Sequence, residues 1–176
     1  EPCPLTYSIG KQFLGRLSNN IKFVDPLQAK ANLTYNHSCY VEAAVSNFDG
    51  NGEFIQLNEN PFGNHLSGKK KSVYGSTNSY NVTIVSLSHL SKTNSLIKLD
   101  AEGADADIFG ALLDVRGNAA KSTVFLCDWR DETRLDIYNL LVKHDLSLIS
   151  SIDEIQFDSF DSFPKNHTFD FGIVNI

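Results

Sequence analysis

The apolar residues in the first third of the chain follow a helical period and then a strand period. After Pro4, apolar residues recur at every fourth position: Leu5, Ile9, Phe13 and Leu17. This spacing predicts a helix to about residue 18, with an apolar stripe that covers a sheet. Residues 39–46 form a short apolar run, and residues 53–57 alternate again. Because Asp49-Gly50 and Asn51-Gly52 between them are turn formers, the pattern predicts a strand, a tight turn and a partner strand.

The middle of the chain contains a polar stretch followed by strand and helix signals. Residues 58–79 are rich in Gly, Asn, Ser and Lys and have little periodicity, which predicts a long surface loop. Residues 80–87 alternate as a strand does. Residues 96–113, reading LIKLDAEGADADIFGALL, combine an alternating apolar run, an acidic tip and a repeat of helical spacing from Ile108. That order predicts a strand, a turn and a helix.

The last part of the chain alternates strand and helix signals. We predict a buried strand at residues 123–127, a helix at 135–143, and two late strands at 146–152 and 169–176. Strands that alternate with helices predict an α/β fold with a largely parallel sheet and right-handed crossovers, the two late strands forming an antiparallel edge. A length of 176 residues, 41% of them hydrophobic, suits a single domain with a sizeable core and leaves no room for two.

Composition excludes several classes of partner. The formal charge of -6 argues against a nucleic-acid surface, which relies on clustered Lys and Arg. The cationic run Lys69-Lys70-Lys71 lies among Gly, Ser and Asn and is interpreted as a solvated loop. No apolar run reaches the length of a membrane span. Because the 3 cysteines are far apart, neither a zinc site nor a disulfide framework is predicted, and reduced thiols are expected.

Two carboxylates stand where the predicted strand of residues 96–99 ends. Ligands of open α/β sheets bind outside the carboxyl ends of the strands, so Asp100 and Glu102 are the candidate catalytic residues. With one residue between them, their side chains point to the same side while the strand persists. We interpret Asp100 as the residue nearest the reacting group, with Glu102 orienting it or the turn. The alternative is that Asp100 accepts the backbone amides of Gly103 and Ala104 and only fixes the loop.

Other chemistry-bearing residues are interpreted as structural. Asp105 and Asp107 are predicted to cap the helix that follows them. His65 and His89 lie in predicted loops, and no histidine pair has metal-ligand spacing, so no metal site is predicted and exposed histidines are expected. The segment at residues 49–53 lacks the spacing of a calcium loop and is interpreted as a hairpin turn. No G-x-S-x-G motif supports a serine nucleophile.

The acidic segment resembles the signature of the FkbM-type S-adenosylmethionine-dependent methyltransferases. In that family K-I-D-x-E-G-x-E runs into a helix carrying L-x-G-A, and the residues that match here are Lys98, Asp100, Glu102, Gly103, Gly110 and Ala111. Asp105 stands where the family has its second Glu. Further matches occur in the same order along the chain, at Glu1-Pro2-Cys3-Pro4, at Asn20, and at Ala44-Val45 with Asp49-Gly50. The chain departs from the family at Ser88, where Asp is common, and at Asp128, where Glu is usual.

The resemblance implies a Rossmann-like class I fold, a mostly parallel sheet with an antiparallel C-terminal edge. It implies S-adenosylmethionine as cofactor, with Glu1 on the ribose hydroxyls and with Ala44, Val45 and Ser46 beside the adenine ring. It further implies that the first strand and the glycine-rich loop of the family precede Glu1 and are absent from this chain.

The implied reaction is methyl transfer to an oxygen of a small molecule or a sugar. This in-line displacement needs positioning and a carboxylate that accepts the hydroxyl proton. The alternative is a non-catalytic binding or structural module derived from the same fold. A cytoplasmic location is favoured, and no oligomeric state is assigned.

Overall fold

The computed structural model describes residues 2–17, 21–27, 38–60, 63–69, 75–90, 96–115, 122–127, 131–150, 156–157, 159–163 and 172–176. The chain divides into two compact units, Glu1–Leu90 (unit 1) and Ser91–Ile176 (unit 2). The single domain expected from the sequence stays a prediction.

Unit 1 opens with helix α1, Pro4–Leu17, whose bounds agree with the predicted helix. Its packing face was predicted wrongly, because the apolar stripe is exposed: Ile9 at 59%, Phe13 at 62% and Leu17 at 65%. The helix instead uses the side that carries Tyr7, whose ring stacks on Tyr40 with centroids 5.0 Å apart. A Cβ at Gly10 would lie 2.6 Å from the Tyr40 hydroxyl oxygen. Glycine at this position therefore allows the close approach of Tyr40 to the helix.

The strands of unit 1 are β1 (Ile21–Val24), β2 (Ser38–Val41), β3 (Ala44–Ser46), β4 (Gly50–Leu57), β5 (His65–Leu66) and β6 (Thr77–Ser86). A four-residue helix, α2 (Leu87–Leu90), follows β6 directly. Strands β1 and β2 pair in parallel as a separate sheet. The other four form a sheet of order β3-β6-β4-β5. The long surface loop predicted at residues 58–79 is therefore wrong in part, because β5 and the start of β6 lie in it.

The predicted hairpin between β3 and β4 is also wrong. Strand β3 pairs in parallel with β6, and β6 lies between β3 and β4. All eight residues of β4 pair with the antiparallel β6, from Gly50 opposite Ile84 to Leu57 opposite Thr77. A glycine suits position 52 of this pairing, because a Cβ there would lie 2.7 Å from Ile84 Cδ1. The core of this sheet consists of buried Cys3, Ala44, Phe54, Leu66, Val82 and Ile84.

The elements of unit 2 are β7 (Leu96–Leu99), α3 (Asp105–Val115), β8 (Thr123–Leu126), α4 (Asp131–Lys143), β9 (Leu148–Ser150), β10 (Gln156–Phe157) and β11 (Gly172–Asn175). They form one sheet of order β10-β9-β11-β8-β7. Strands β7 and β8 are parallel and are joined through α3, as the sequence predicts. Strand β11 is antiparallel to both β8 and β9. It lies inside the sheet, whereas the prediction placed it at the edge.

The predicted fold class, a mostly parallel Rossmann-like sheet, is wrong. Among the described strands, the pairs β4–β6, β4–β5, β8–β11, β9–β11 and β9–β10 are antiparallel. The parallel pairs are β1–β2, β3–β6 and β7–β8, and the strands are divided among three sheets. Alternation of apolar and polar residues, as in β4 and β6, is typical of antiparallel strands that bury one face. Periodicity identifies such strands, but it does not determine their partners.

Helix α4 anchors a short turn segment, residues 159–163, within unit 2. Buried Arg134 donates from Nε to the Phe163 carbonyl oxygen at 3.1 Å, and from Nη2 to the same oxygen at 2.6 Å and to the Phe160 carbonyl oxygen at 2.5 Å. Its guanidinium carbon lies 4.0 Å from the centre of the Phe160 ring. One turn further along, Tyr138 contacts the rings of Phe160 and Phe163.

Candidate functional site

The acidic turn of unit 2 begins where β7 ends at Leu99 and closes where α3 begins at Asp105. Two residues of the turn have left-handed backbone conformations, Glu102 with φ 48° and Gly103 with φ 101°. Glycine adopts this conformation without strain, whereas a residue with a Cβ does so at a cost of about 1–2 kcal/mol. The strand alternation therefore stops before Glu102, and the expectation that Asp100 and Glu102 share one side of a continuing strand does not apply.

Asp105 holds this turn in place. Its side chain is 1% exposed, and its two carboxylate oxygens accept hydrogen bonds from the backbone amides of Ala101 at 2.9 Å and Gly103 at 3.2 Å. The amide of Ala104 donates to the Ala101 carbonyl oxygen at 3.3 Å. Asp105 was predicted to cap the helix. Its carboxylate binds the turn that precedes the helix, which is the role considered for Asp100 as the alternative, and the capping role stays a prediction.

Asp100 takes no part in holding the turn. Its Oδ2 accepts a hydrogen bond from Lys98 Nζ at 2.6 Å, and it makes no other hydrogen bond within the described residues. The side chains are well exposed, Lys98 at 65% and Asp100 at 44%. The hydrogen bond to Asp100 raises the pKa of Lys98, helped by the charges of Asp100 and Cys127 and opposed by partial desolvation. Asp100 is thus an accessible carboxylate with one charged neighbour.

Strand register brings Cys127 to the same face of the sheet. Lys98 is opposite Phe125 in the parallel pair β7–β8, and the amide of Cys127 donates to the Leu99 carbonyl oxygen at 3.0 Å. Because side chains alternate along a strand, Lys98 and Phe125 share a face with residues two positions further on, Asp100 and Cys127. The carboxyl ends of β7 and β8 therefore present a carboxylate, an ammonium and a half-buried thiol together.

The residues predicted to contact the cofactor lie mainly in unit 1. Glu1 is outside the described residues. Ala44 and Ser46 are buried, at 4% and 0% exposure, whereas Val45 between them is half-buried on the opposite face of β3. The Ser46 hydroxyl donates to the Asn47 side-chain oxygen at 3.3 Å. Contact with an adenine ring stays a prediction for these residues, and the structure gives Ala44 and Ser46 a packing role.

A second polar constellation in unit 1 was not predicted. Asp49, between β3 and β4, accepts a hydrogen bond from the Ser86 amide at 2.9 Å through Oδ1. Its Oδ2 contacts His89 Nε2 at 2.6 Å. No sequence pattern indicated this pair, because Asp49 matches a turn former and His89 was placed in a predicted loop. The expectation of exposed loop histidines is wrong for His65, which is buried in β5 with Nδ1 2.8 Å from the Gly63 carbonyl oxygen.

The remaining expectations concern metal sites, membrane-spanning helices and two of the positions compared with the family. Within the described ranges, His, Cys, Asp and Glu do not gather in groups of three that could hold a metal ion. No helix of the described part has the length and apolar character that a membrane crossing requires. The family match at Asn20 and the departure from the family at Asp128 fall outside the described residues.

Comparison of the chain with protein-family models, with curated proteins and with solved structures finds no match. The resemblance to the FkbM-type methyltransferases therefore remains an interpretation of sequence motifs. Function has to be argued from the sites themselves.

Proposed function

We propose that the protein is an S-adenosylmethionine-dependent O-methyltransferase in which the Asp100 carboxylate contacts the hydroxyl group of a small-molecule or sugar acceptor. The observation that carries this proposal is the division of roles between Asp100 and Asp105. Asp105 is buried and binds the two turn amides, whereas Asp100 is exposed and, among the described residues, binds only Lys98. Asp100 is therefore available to a ligand at the carboxyl end of β7, where α/β proteins bind theirs.

Lys98 fits a positioning role beside Asp100. Its ammonium group occupies one lone pair of Oδ2, and a carboxylate has further acceptor sites for a ligand hydroxyl. The ion pair also orients the carboxylate, although both partners are exposed and the pair itself adds little to stability. A hydroxyl group that binds Asp100 would donate its hydrogen to the carboxylate, which increases the electron density on the attacking oxygen.

The backbone conformation of Glu102 supports the proposal. This residue occupies the left-handed region at φ 48°, a conformation that costs free energy and that the Asp105 hydrogen bonds to the neighbouring amides maintain. Strain of this kind concentrates at binding and catalytic turns. The role of Glu102 in orienting the acceptor is part of the proposal.

The cofactor would supply an activated methyl group on a sulfonium sulfur. Of the residues predicted to hold its adenine ring, Val45 has suitable properties, because it is apolar and half-buried on the face of β3 that points away from the core. Ala44 belongs to the buried cluster of unit 1.

The second candidate is a non-catalytic binding or structural module. The burial of Ala44 and Ser46 favours it, because buried side chains cannot line a cofactor cleft without a rearrangement of β3. Calorimetry with S-adenosylmethionine separates the two candidates. Binding supports the enzyme, whereas absence of binding at millimolar cofactor would favour the module.

Transfer of radiolabelled methyl groups tests the proposed role of Asp100. The protein is incubated with labelled S-adenosylmethionine and a panel of alcohols and sugars, and turnover is compared between wild type, Asp100→Asn and Asp114→Asn. Asp114 is the matched control, because it is also exposed and also pairs with a lysine, at 3.5 Å from Lys143 Nζ. We expect Asp100→Asn to lower turnover by about 100-fold, and Asp114→Asn to leave it unchanged. Equal turnover in all three proteins would remove Asp100 from the site.

A further inference from the structure

The Asp49–His89 pair is fixed from two sides. Asp49 Oδ1 accepts the Ser86 backbone amide at 2.9 Å, and Oδ2 binds His89 Nε2 at 2.6 Å. An ionised carboxylate can only accept hydrogen bonds, so Nε2 carries the hydrogen and donates it. In a neutral imidazole the other nitrogen, Nδ1, is then unprotonated and basic.

His89 Nδ1 is open to a ligand within the described part of the chain. Among the described residues, the His89 side chain makes one hydrogen bond, from Nε2 to Asp49, and Nδ1 makes none. Its side chain is 30% exposed and that of Asp49 is 37% exposed, so solvent and small molecules can reach the ring. The nearby Ser46 hydroxyl donates to Asn47 and is fully buried, so it is not the partner of the imidazole.

The pair also lies where ligands bind in sheets with parallel strands. Strands β3 and β6 are parallel and end together at Ser46 and Ser86. Asp49 follows β3 by three residues, and His89 follows β6 by three residues. Both side chains are therefore placed just beyond the carboxyl ends of two paired parallel strands.

We propose that His89 is a proton acceptor for a hydroxyl-bearing ligand, an alcohol or a water molecule, and that Asp49 is its positioning residue. The O–H bond of the ligand breaks and an N–H bond forms at Nδ1, while the oxygen uses the freed electron pair to bond to the carbonyl carbon of an ester. The bond from that carbon to the ester's alkoxide or phenoxide oxygen then breaks, and this leaving group departs with the electron pair. Asp49 stabilises the resulting imidazolium through the hydrogen bond at Nε2. The imidazolium then returns the proton to solvent. This inference concerns unit 1 alone and does not rest on the proposed methyl transfer.

Hydrolysis of p-nitrophenyl acetate is the activity probe, because its attacking hydroxyl comes from water and it needs no cofactor. The full chain is compared with His89→Gln, Asp49→Asn and the control His144→Gln. His144 is a suitable control, because its Nε2 is buried and has no hydrogen-bond partner within the described residues, so no carboxylate orients it. Circular dichroism establishes that each variant is folded.

We expect the hydrolysis rate to fall about tenfold or more in His89→Gln and by a smaller factor in Asp49→Asn, with His144→Gln unchanged. The rate should also be slower in D₂O, because a proton is transferred from water; direct attack by the imidazole shows no such slowing. Nitrogen-15 spectra should show the Nε2–H tautomer for His89 in wild type and a mixture in Asp49→Asn. An unchanged rate in folded His89→Gln, a rate that is equal in D₂O, or an Nδ1–H tautomer in wild type would overturn the proposal.

Discussion

Replacement of Arg134 by methionine should destabilise unit 2, because this side chain connects α4 to residues 159–163 through main-chain carbonyl groups. Arg134 is 7% exposed, and its fork of N–H groups binds the carbonyl oxygens of Phe160 and Phe163 at 2.5–3.1 Å. Methionine has a similar length and is apolar, so Arg134→Met removes the donors while most of the volume remains. Arg134→Lys keeps the charge but loses the planar fork.

The size of the effect follows from the bonds that are lost. A hydrogen bond from a charged donor contributes about 1.5–3 kcal/mol, and the stacking on Phe160 adds about 0.5–2 kcal/mol. These contributions share one side chain and do not add, and the cost of burying the guanidinium opposes them. We therefore expect Arg134→Met to lower the free energy of unfolding by about 3 kcal/mol and Arg134→Lys by about 1–2 kcal/mol. For a chain of this size, 3 kcal/mol corresponds to a melting temperature lower by about 6–12 °C.

Urea unfolding followed by far-ultraviolet circular dichroism measures these differences. Arg16→Met is the matched control, because Arg16 is exposed in the last turn of α1 and should change stability by less than about 0.5 kcal/mol. An Arg134→Met protein as stable as this control would refute the reasoning, because the carbonyl bonds would then contribute nothing.

For three further substitutions, the local geometry predicts how the stability of the protein changes. Gly52→Ala should destabilise the protein by about 1–3 kcal/mol in thermal unfolding, because the new Cβ meets Ile84 Cδ1 in the core. Asp145→Gly should stabilise it by about 0.5–1 kcal/mol in the same assay, because Asp145, in the turn that follows α4, has φ 54°, which glycine adopts freely. Hydrogen bonds from Ser76 lower the pKa of Glu59 below its ordinary 4.5, so this carboxylate favours the folded state above that pH and loses the contribution as the pH falls through its folded pKa. Glu59→Gln should therefore flatten the acid side of a plot of melting temperature against pH.

The sequence predicted the elements that depend on local periodicity. Strand β7, the acidic turn and helix α3 occur where the alternating and helical repeats indicated them, because each repeat buries its own face. Helix α1 also has the predicted bounds, but its orientation was predicted wrongly. The prediction assumed that the large apolar residues face the core. In the structure, Tyr7 and Gly10 form the packing face, and the ring of Tyr40 lies against them.

The pairing of the strands could not be predicted from local sequence patterns. The turn formers around Asp49 indicated a hairpin, yet Asp49 binds the end of β6 and β4 pairs with β6 along its whole length. This pairing joins residues 20 to 34 positions apart, and turn chemistry carries no information about it. The same limit explains why the Asp49–His89 pair and buried His65 were missed.

The sequence predicted which types of residue form the acidic turn, but it did not predict the role of each carboxylate. Acidic residues after an apolar strand identified the turn, and the structure places Asp100 and Asp105 in it. Which carboxylate binds the backbone depends on the left-handed geometry of Glu102 and Gly103, which turns the amides towards Asp105. Sequence spacing does not encode this choice.

The most direct test of the account compares Asp100→Asn with Asp105→Asn for methyl transfer and for melting temperature. Asp105→Asn should lower the melting temperature, because a buried amide group cannot accept both turn amides, and should lower turnover per folded molecule much less than Asp100→Asn does. Asp100→Asn should keep the melting temperature and the cofactor affinity and lose turnover. The opposite pattern, in which Asp100→Asn unfolds at lower temperature and retains its turnover per folded molecule, would contradict the central claim that Asp100 serves the acceptor and Asp105 serves the fold.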